Sequence, residues 1–512
     1  MPSEVKTAAA LEEKNAITPV ASNPGYETGE ILKVDLNADP ALAVLSGGII
    51  EYTEAEGKSV LSKIDWHILP ILCWIYAIQF ADKISLNYAS LMGIRVDTHL
   101  DPNSQQYSWV SSIFYAGYLL WEFPTTYLLR RLPVAKYTST NVIIWGIVLT
   151  CHAAASNYAA LLALRFFLGL FEATITPAFV LITSMWYKQS EQGRRMGYWL
   201  SCNGITLILM GPIGYGLSAI KNSSLASWKI LFLILGPLTV ATGIFCLWYL
   251  PDNQTKARFL NDREQQVAVE RIRHRFPSVE VVPIREAFKD PRTYLYVLFS
   301  LLMNIPNGGI TTFGSLVISS FGFGARNSLL LGTPAGLFDL GGKLFFTWVS
   351  DKLMDRSGPA FIAILFPMVG GILMITTHAK PALLIGYYLI SVSGAAWCLV
   401  MVLISNNTLG YTKKATVSGA QIIAYACGNW IGPQTFRSHE APDYPTGKTL
   451  VAIMYGLSAL VLLLIRVLNI YENRRRDRLQ TASGTLELTE EDEQNKFLDL
   501  TDFEQPHFRY VL

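Results

Sequence analysis

Charge is what this 512-residue sequence has least of. Asp, Glu, Lys and Arg make up 16% of it, where a soluble domain typically carries about 25%. Half of it is apolar and the mean hydropathy is positive, which suits lipid better than water as a surrounding. A formal net charge of +2 provides no basic surface for nucleic acid. Histidine clusters and CxxC spacings are also missing. The six cysteines, Cys73, Cys151, Cys202, Cys246, Cys398 and Cys427, all lie inside apolar runs, so buried free thiols are expected, with no metal site. No nucleophile triad, metal ligand set or phosphate loop is found, which argues against an enzyme and gives no reason to expect a cofactor. Nor is there a short apolar leader. The chain is polar and mildly acidic to about Ser62, so the first apolar run is expected to be a permanent anchor, with the N-terminal tail cytosolic.

Long apolar runs are abundant. A membrane-crossing helix needs about 20 mostly apolar residues, and such runs lie near 66–90, 107–129, 137–155, 158–185, 196–219 and 228–250 (spans 1 to 6). Six more follow near 293–319, 328–350, 360–377, 381–406, 416–436 and 448–471 (spans 7 to 12). The expected architecture is an all-α integral membrane protein with twelve transmembrane helices in two six-helix bundles. Its parts are a tail over 1–62, a first bundle over 63–250, a charged central loop over 251–292, a second bundle over 293–472 and a tail over 473–512. Lys and Arg concentrate in alternate connections. One set holds Arg130, Arg131, Lys136, Lys188, Arg194, Arg195, Lys352, Arg356, Lys413 and Lys414, together with the central loop and the Arg474 to Arg478 run. Positive loops stay in the cytosol, so both termini are expected there. Asn222-Ser223-Ser224 then falls in an outer loop as a possible glycosylation tripeptide.

Polar residues inside the spans carry the functional signal. An ionisable group at the centre of a span costs about 2.5–3.5 kcal/mol on insertion scales and is usually paired or functional. Span 1 contains Gln79, Asp82, Lys83 and Asn87. Asp82 and Lys83 are adjacent, so they point to different sides of the helix; they either face the bundle or snorkel at the outer interface. Span 4 contains Arg165, Gly169, Glu172 and Pro177. Arg165 and Glu172, seven residues apart, share a face about 10 Å apart along the axis, and Gly169 on the same stripe admits another backbone or a ligand. A guanidinium fork suits a carboxylate, and a carboxyl group in a site of low dielectric can carry a proton. The same pair could instead be a structural ion pair. A third, uncharged group comprises Asn304, Asn307, Asn406, Asn407, Gln421, Asn429 and Gln434, with Tyr425 and Trp397. These either line a polar cavity or bond helix to helix. Spans 7 to 12 are read as adding no second basic group, which implies one main anionic contact and hence a monocarboxylate or similar small anion. Gly and Pro interruptions, as at Gly211-Pro212 and Gly432-Pro433, match the broken helices of secondary transporters, whose site lies near the midplane between the halves.

From about residue 60 to the C-terminus the chain resembles the fungal allantoate permease family, in the anion:cation symporter branch of the major facilitator superfamily. The resemblance rests on Lys63-Ile64-Asp65, Asp82-Lys83 with Asn87, the run Arg165 to Pro177, Leu250-Pro251-Asp252, the block Asn304 to Gly309 with Phe313-Gly314-Ser315, Thr412-Lys413-Lys414, Gly428-Asn429, Ile431 to Arg437, and the tail Asp499 to Leu512. It implies a multi-pass plasma-membrane symporter, a functional monomer in the bilayer, that imports a small organic anion or related nutrient with protons by alternating access. Members carry allantoate, nicotinate, other vitamins, dipeptides or sulfur compounds. By this resemblance Arg165 meets the substrate anion; Lys83, Asn87, Asn304, Asn307, Gln421, Tyr425 and Asn429 are the further candidate substrate contacts, from their polarity within or beside the spans. Glu172 carries the coupling proton, with Asp82 as competitor nearer the outer surface, and Asp351, Lys352 and Arg356 form a gating loop. The superfamily loop motif is eroded after span 2, where Arg130-Arg131 has no acidic neighbour. The run Met210 to Gly216 is similar to the glycine-proline motif of antiporters, which makes a metabolite or drug exporter the alternative. A nutrient-sensing receptor on the same scaffold is a third possibility, against which the short tails count.

Overall fold

The computed structural model describes residues 51–220, 223–272, 285–483, 500–505 and 507–512. The N-terminal tail to residue 50, part of the central loop, residues 484–499 and Asn222 lie outside them. Helices α1 (Glu54–Leu91), α2 (Gln106–Arg131), α3 (Val134–Cys151), α4 (Tyr158–Glu172), α5 (Ile175–Trp186), α6 (Gln189–Leu217) and α7 (Ser227–Tyr249) build the first half. A short amphipathic helix, α8 (Asp262–Glu270), follows in the central segment. The second half comprises α9 (Pro291–Ser320), α10 (Ala325–Leu331), α11 (Pro334–Leu353), α12 (Ser357–Thr376), α13 (Lys380–Ile390), α14 (Ser393–Asn407), α15 (Tyr411–Ile431) and α16 (Pro445–Ser483). The pairs α4/α5, α10/α11 and α13/α14 are single spans broken by a turn, so each half contributes six.

Among the described residues, nine spans are long and apolar enough to cross a membrane by themselves. The three that fall short are α2, α3 and α15. Each carries charge, Glu122 and two arginines in α2, Lys136 in α3, and Lys413 and Lys414 in α15. Each is sheltered along its length by a neighbour: α2 by α4, α3 by α7, and α15 by α9. Burial against protein replaces the hydropathy that contact with lipid would demand.

Glycines set these close approaches. A Cβ on Gly169 of α4 would collide with the Phe114 carbonyl of α2, and one on Gly117 with the Phe166 carbonyl of α4. Gly169 therefore admits a backbone rather than a ligand. Gly169→Ala must push α2 and α4 apart, at a cost of about 1–3 kcal/mol. A clear fall in thermal midpoint of the purified protein is the expected result; an unchanged midpoint would show that this contact is slack.

The starts of both halves and the described C-terminal residues share one face, called here the terminal face. Lys63 at the start of α1 binds Glu264 of α8 at 2.6 Å. Residues 500–505 and 507–512 lie against the same face of the second half. Asp502 receives Lys413 at 2.7 Å and Tyr510 at 2.6 Å, Val511 exchanges two hydrogen bonds with Asn407, and the Arg292 guanidinium stacks 3.5 Å from the Tyr510 ring centre. Burial among these groups pushes the Tyr510 phenol well above its ordinary range, so it stays a hydrogen-bond donor to Asp502.

Candidate functional site

The two halves are joined on the face opposite the termini. Tyr107 and Ser111 of α2 bond to Thr312 of α9, Asn87 accepts from the Ser315 N–H at 2.9 Å, and Gln105 and Ser112 tie α2 to Ser438 and Gln434. A second seam runs between α6 and the α10/α11 span, through Arg326 against Tyr215, Thr333 against Gly211, and Gly336 against Gly204. Its last hydrogen bond toward the termini is Lys343 Nζ to the Leu200 carbonyl, 3.4 Å. Among the described residues no hydrogen bond or ion pair joins the halves beyond that point. Among the described residues the polar links between the halves thus lie on the face opposite the termini and at mid-depth, and none lies on the terminal face.

Between the seams lies a cavity of about 20 Å³ lined by Lys83, Leu86, Ser111, Phe114, Tyr115, Arg165, Thr311 and Thr312, which is room for about one water. Arg165 reaches it from α4, 3% exposed, with Nε and Nη2 buried and without hydrogen-bond partners. Buried guanidinium nitrogens are seldom left unsatisfied, so these point to a missing acceptor. Lys83 reaches it from α1. Its Nζ is 3.5 Å from Glu172 Oε1 and 3.5 Å from the Tyr425 hydroxyl of α15, which joins the first half to the second. Phe114 and Tyr425 rings face the ammonium at 5.8 and 6.0 Å. Glu172 is fully buried, its two oxygens otherwise without hydrogen bonds, with Gln79 beside it.

Adjacent in sequence, Asp82 and Lys83 diverge. Asp82 turns inside the first half, fully buried, and accepts from Trp145 Nε1 of α3 at 2.6 Å, leaving Oδ1 unpartnered. Snorkelling at the outer interface is excluded. Asp82 and Glu172 both act by their charge on Arg165, which forms no ion pair with either, while Lys83 pairs with Glu172 at 3.5 Å. The break after Glu172, at Ala173-Thr174, follows from Pro177, which cannot donate to the carbonyl one turn back.

The uncharged group divides. Tyr425 meets Lys83 behind the cavity and stands beside Trp397, ring centres 5.8 Å apart, and Gln421, one turn away, has its Nε2 buried without a partner. Asn304, Asn307 and Asn429 instead bond one another, Asn307 to Asn429 at 2.9 Å and Asn429 to Asn304 at 3.2 Å. Gly308, Gly428 and Gly432 bring α9 and α15 together there, so these amides brace helices rather than line the cavity. Asn407 holds the tail, Gln434 holds Ser112, and Asn87 belongs to the face opposite the termini.

Of the loop residues, Arg356 bonds Ser350 Oγ at 2.9 Å, pairs with Asp351 and donates its N–H to the Leu512 carbonyl. Lys352 is exposed, its ammonium 5.3 Å from the Trp348 ring. Among the described residues all three make their polar and ring contacts within the second half and the tail. Asp355, which sequence reasoning passed over, ties the loop to α16 through Arg466 at 2.6 Å. Two further groups were missed. Glu122 in α2 is buried with Oε2 unpartnered. Lys343 in α11 is buried against Asp339 at 2.7 Å, which overturns the reading of spans 7 to 12 as free of a second basic group. The rule applied to span 4, an ionisable residue within an apolar run, would have found both.

The comparisons agree with this architecture. The model of the Major Facilitator Superfamily matches residues 72–433. The allantoate permease of Saccharomyces cerevisiae is 36% identical over 517 residues, covering 96% of this chain and 94% of the permease. The thiamine pathway transporter of the same yeast is 33% identical, covering 88% of this chain and 86% of its own. A bacterial homologue of the human lysosomal transporter Spinster, solved inward-facing and unoccupied, shares the fold with a TM-score of 0.60 at 15% identity, over 81% of this chain and 98% of that one. The chain is a multi-pass integral membrane transporter, not an enzyme, and it belongs to the allantoate permease family of the major facilitator superfamily.

Proposed function

We propose that this transporter imports a small organic anion together with a proton by alternating access, across the plasma membrane and with both termini cytosolic. The observation that carries the reading is the pair of unpartnered Arg165 nitrogens, buried with Lys83 in a cavity where the halves meet. Two cations facing one cavity suit a carboxylate and leave an apolar or cationic substrate unfavoured. The cavity is too small for such a ligand, so a loaded state requires the halves to shift. The first and second bundles are the moving units in this scheme. The membrane potential opposes anion entry by about 2.3 kcal/mol per charge per 100 mV, so uphill uptake needs an accompanying cation. Glu172, beside Lys83, is the acid we assign to the proton.

The deciding experiment is uptake by the purified protein in proteoliposomes with an imposed pH gradient. Labelled allantoate comes first, because a relative is named for it, followed by other small nitrogen and sulfur acids, vitamins and dipeptides. Accumulation that follows the proton gradient supports the reading; extrusion of a compound with no accumulation of any acid gives the exporter. Orientation has its own test. Cysteines introduced at Ser224, exposed on the face away from the termini, and at Lys352 are probed with an impermeant maleimide in intact cells. Ser224→Cys is expected to label at once and Lys352→Cys only after permeabilisation; the reverse pattern would invert the topology.

A further inference from the structure

The seam between α6 and α11 ends in an ion pair that neither the central cavity nor the coupling acid uses. Asp339 and Lys343 stand one turn apart on α11, each 8% exposed, with Oδ2 and Nζ 2.7 Å apart. Their niche is cut by glycines from both halves. A Cβ on Gly204 of α6 would press on Asp339 Oδ2, and one on Gly394 of α14 would overlap Asp339 Oδ1 and crowd Lys343 Cε. Cys202 of α6 and Cys398 of α14 lie within reach of the Lys343 charge. Trp199 Nε1 and Asn203 Oδ1, on the adjoining turn of α6, are buried without partners.

Stability alone does not call for such a pair, since apolar residues of similar shape usually serve a buried position as well or better. Its location does suggest a use. Thr206 of α6 bonds the Ala77 carbonyl of α1, which sets the two helices level at that point. Lys83 lies six residues further toward the face opposite the termini, and Leu200, the contact of Lys343, six residues toward the terminal face, roughly 9 Å each way at 1.5 Å per residue. Tyr76 sits between, sensing both Lys83 and Cys398 and lying against Asn203 and Trp199. Lys343 is thus the next buried cation beside α6 from the central cavity toward the terminal face.

We propose that Lys343 is a second anion station, taking a carboxylate or sulfonate on its way between the central site and the terminal face, with Asp339 as an internal competitor that occupies the ammonium when no anion is present. A single tight site would hold its anion; a second, weaker one lets it leave by exchange, as Asp339 displaces it. The proposal rests on the central cavity being an anion path.

The neighbouring native thiols supply a test that does not depend on knowing the substrate. The full chain in lipid nanodiscs is exposed to 2-sulfonatoethyl methanethiosulfonate and, separately, to the neutral 2-hydroxyethyl reagent, and modification of Cys398 and Cys202 is followed by mass spectrometry. The anionic-to-neutral rate ratio at Cys398 is expected to rise roughly tenfold in Asp339→Asn and to fall roughly tenfold in Lys343→Gln, as one nearby charge would produce. The double variant, which leaves no uncompensated buried charge, is expected to fall between the two single variants and guards against misfolding of either one. Equal ratios in all four proteins, or a wild-type Cys398 that neither reagent reaches, would overturn the station. Arg165→Ala is expected to leave the pattern intact. A protein that keeps this order while showing no anion uptake of any kind has lost the central reading and not this one.

Discussion

Replacing Arg165 by alanine is expected to abolish uptake and to weaken binding of the anionic substrate by at least a hundredfold. The guanidinium is buried, two of its nitrogens have no partner in the protein, and no water-exposed group can take over its task. Hydrogen bonds to a charged group contribute about 1.5–3 kcal/mol each, and a bidentate fork makes two. Arg165→Lys keeps the charge and loses the fork, because a lysine ammonium is a compact point charge that cannot hold both oxygens of a carboxylate in one plane. Roughly tenfold weaker binding is expected for it, with slow residual transport. Lys83→Ala should be milder for binding than Arg165→Ala, since Lys83 already has Glu172 and Tyr425 within 3.5 Å. The measurement is equilibrium binding to purified variants of equal monodispersity, alongside uptake. Near-normal affinity in Arg165→Ala would transfer the anion site to Lys83.

Much of this site was legible in the sequence, for a physical reason. Charge in a span is costly, so Arg165, Glu172, Asp82 and Lys83 stood out against an apolar background, and the turn of the helix put Arg165 and Glu172 on one face. Their partners were not legible. Which acid meets Lys83 depends on how α1 packs against α4, and its contact with Tyr425 spans 342 residues of sequence. The asparagines show the same limit from the other side. Asn304 and Asn307 share a helix face by their spacing, yet whether that face meets a cavity or α15 is settled by glycines on both helices. Asp339 and Lys343 escaped because they cancel one another within one turn, in a span whose ends are ordinary. Twelve spans could be counted from apolar runs even though α2, α3 and α15 are too polar to cross alone. The tail was recognisable only as a pattern from Asp499 to Leu512. Its docking rests on hydrogen bonds, an ion pair and cations stacked on aromatic rings, and such contacts leave no hydropathy signal.

Glu172→Gln is expected to uncouple transport from the proton gradient while leaving the anion path open. One pH unit of gradient is worth 1.36 kcal/mol per proton, enough for roughly tenfold accumulation; in the glutamine variant the accumulation ratio should fall to about one. The geometry gives the reason. Ionised Glu172 lies 3.5 Å from the Lys83 ammonium and is otherwise without hydrogen bonds, so it competes with substrate for that cation. A proton on Glu172 removes the competitor and leaves Lys83 and Arg165 facing the cavity together, so proton and anion load as a pair. With both aboard, the net charge of the buried group is the same as when it is empty, and reorientation need not move an uncompensated charge through a dry interior. Glutamine imitates the protonated acid permanently: the anion binds, external and internal substrate exchange, and pH no longer drives accumulation. Asp82→Asn provides the contrast. Asp82 faces Trp145 inside the first half rather than the cavity, so its loss should disturb the orientation of Arg165 and lower affinity while pH-driven accumulation persists. Counterflow and pH-jump uptake on the two variants separate these outcomes. Uphill uptake surviving in Glu172→Gln but lost in Asp82→Asn would move the coupling proton to Asp82.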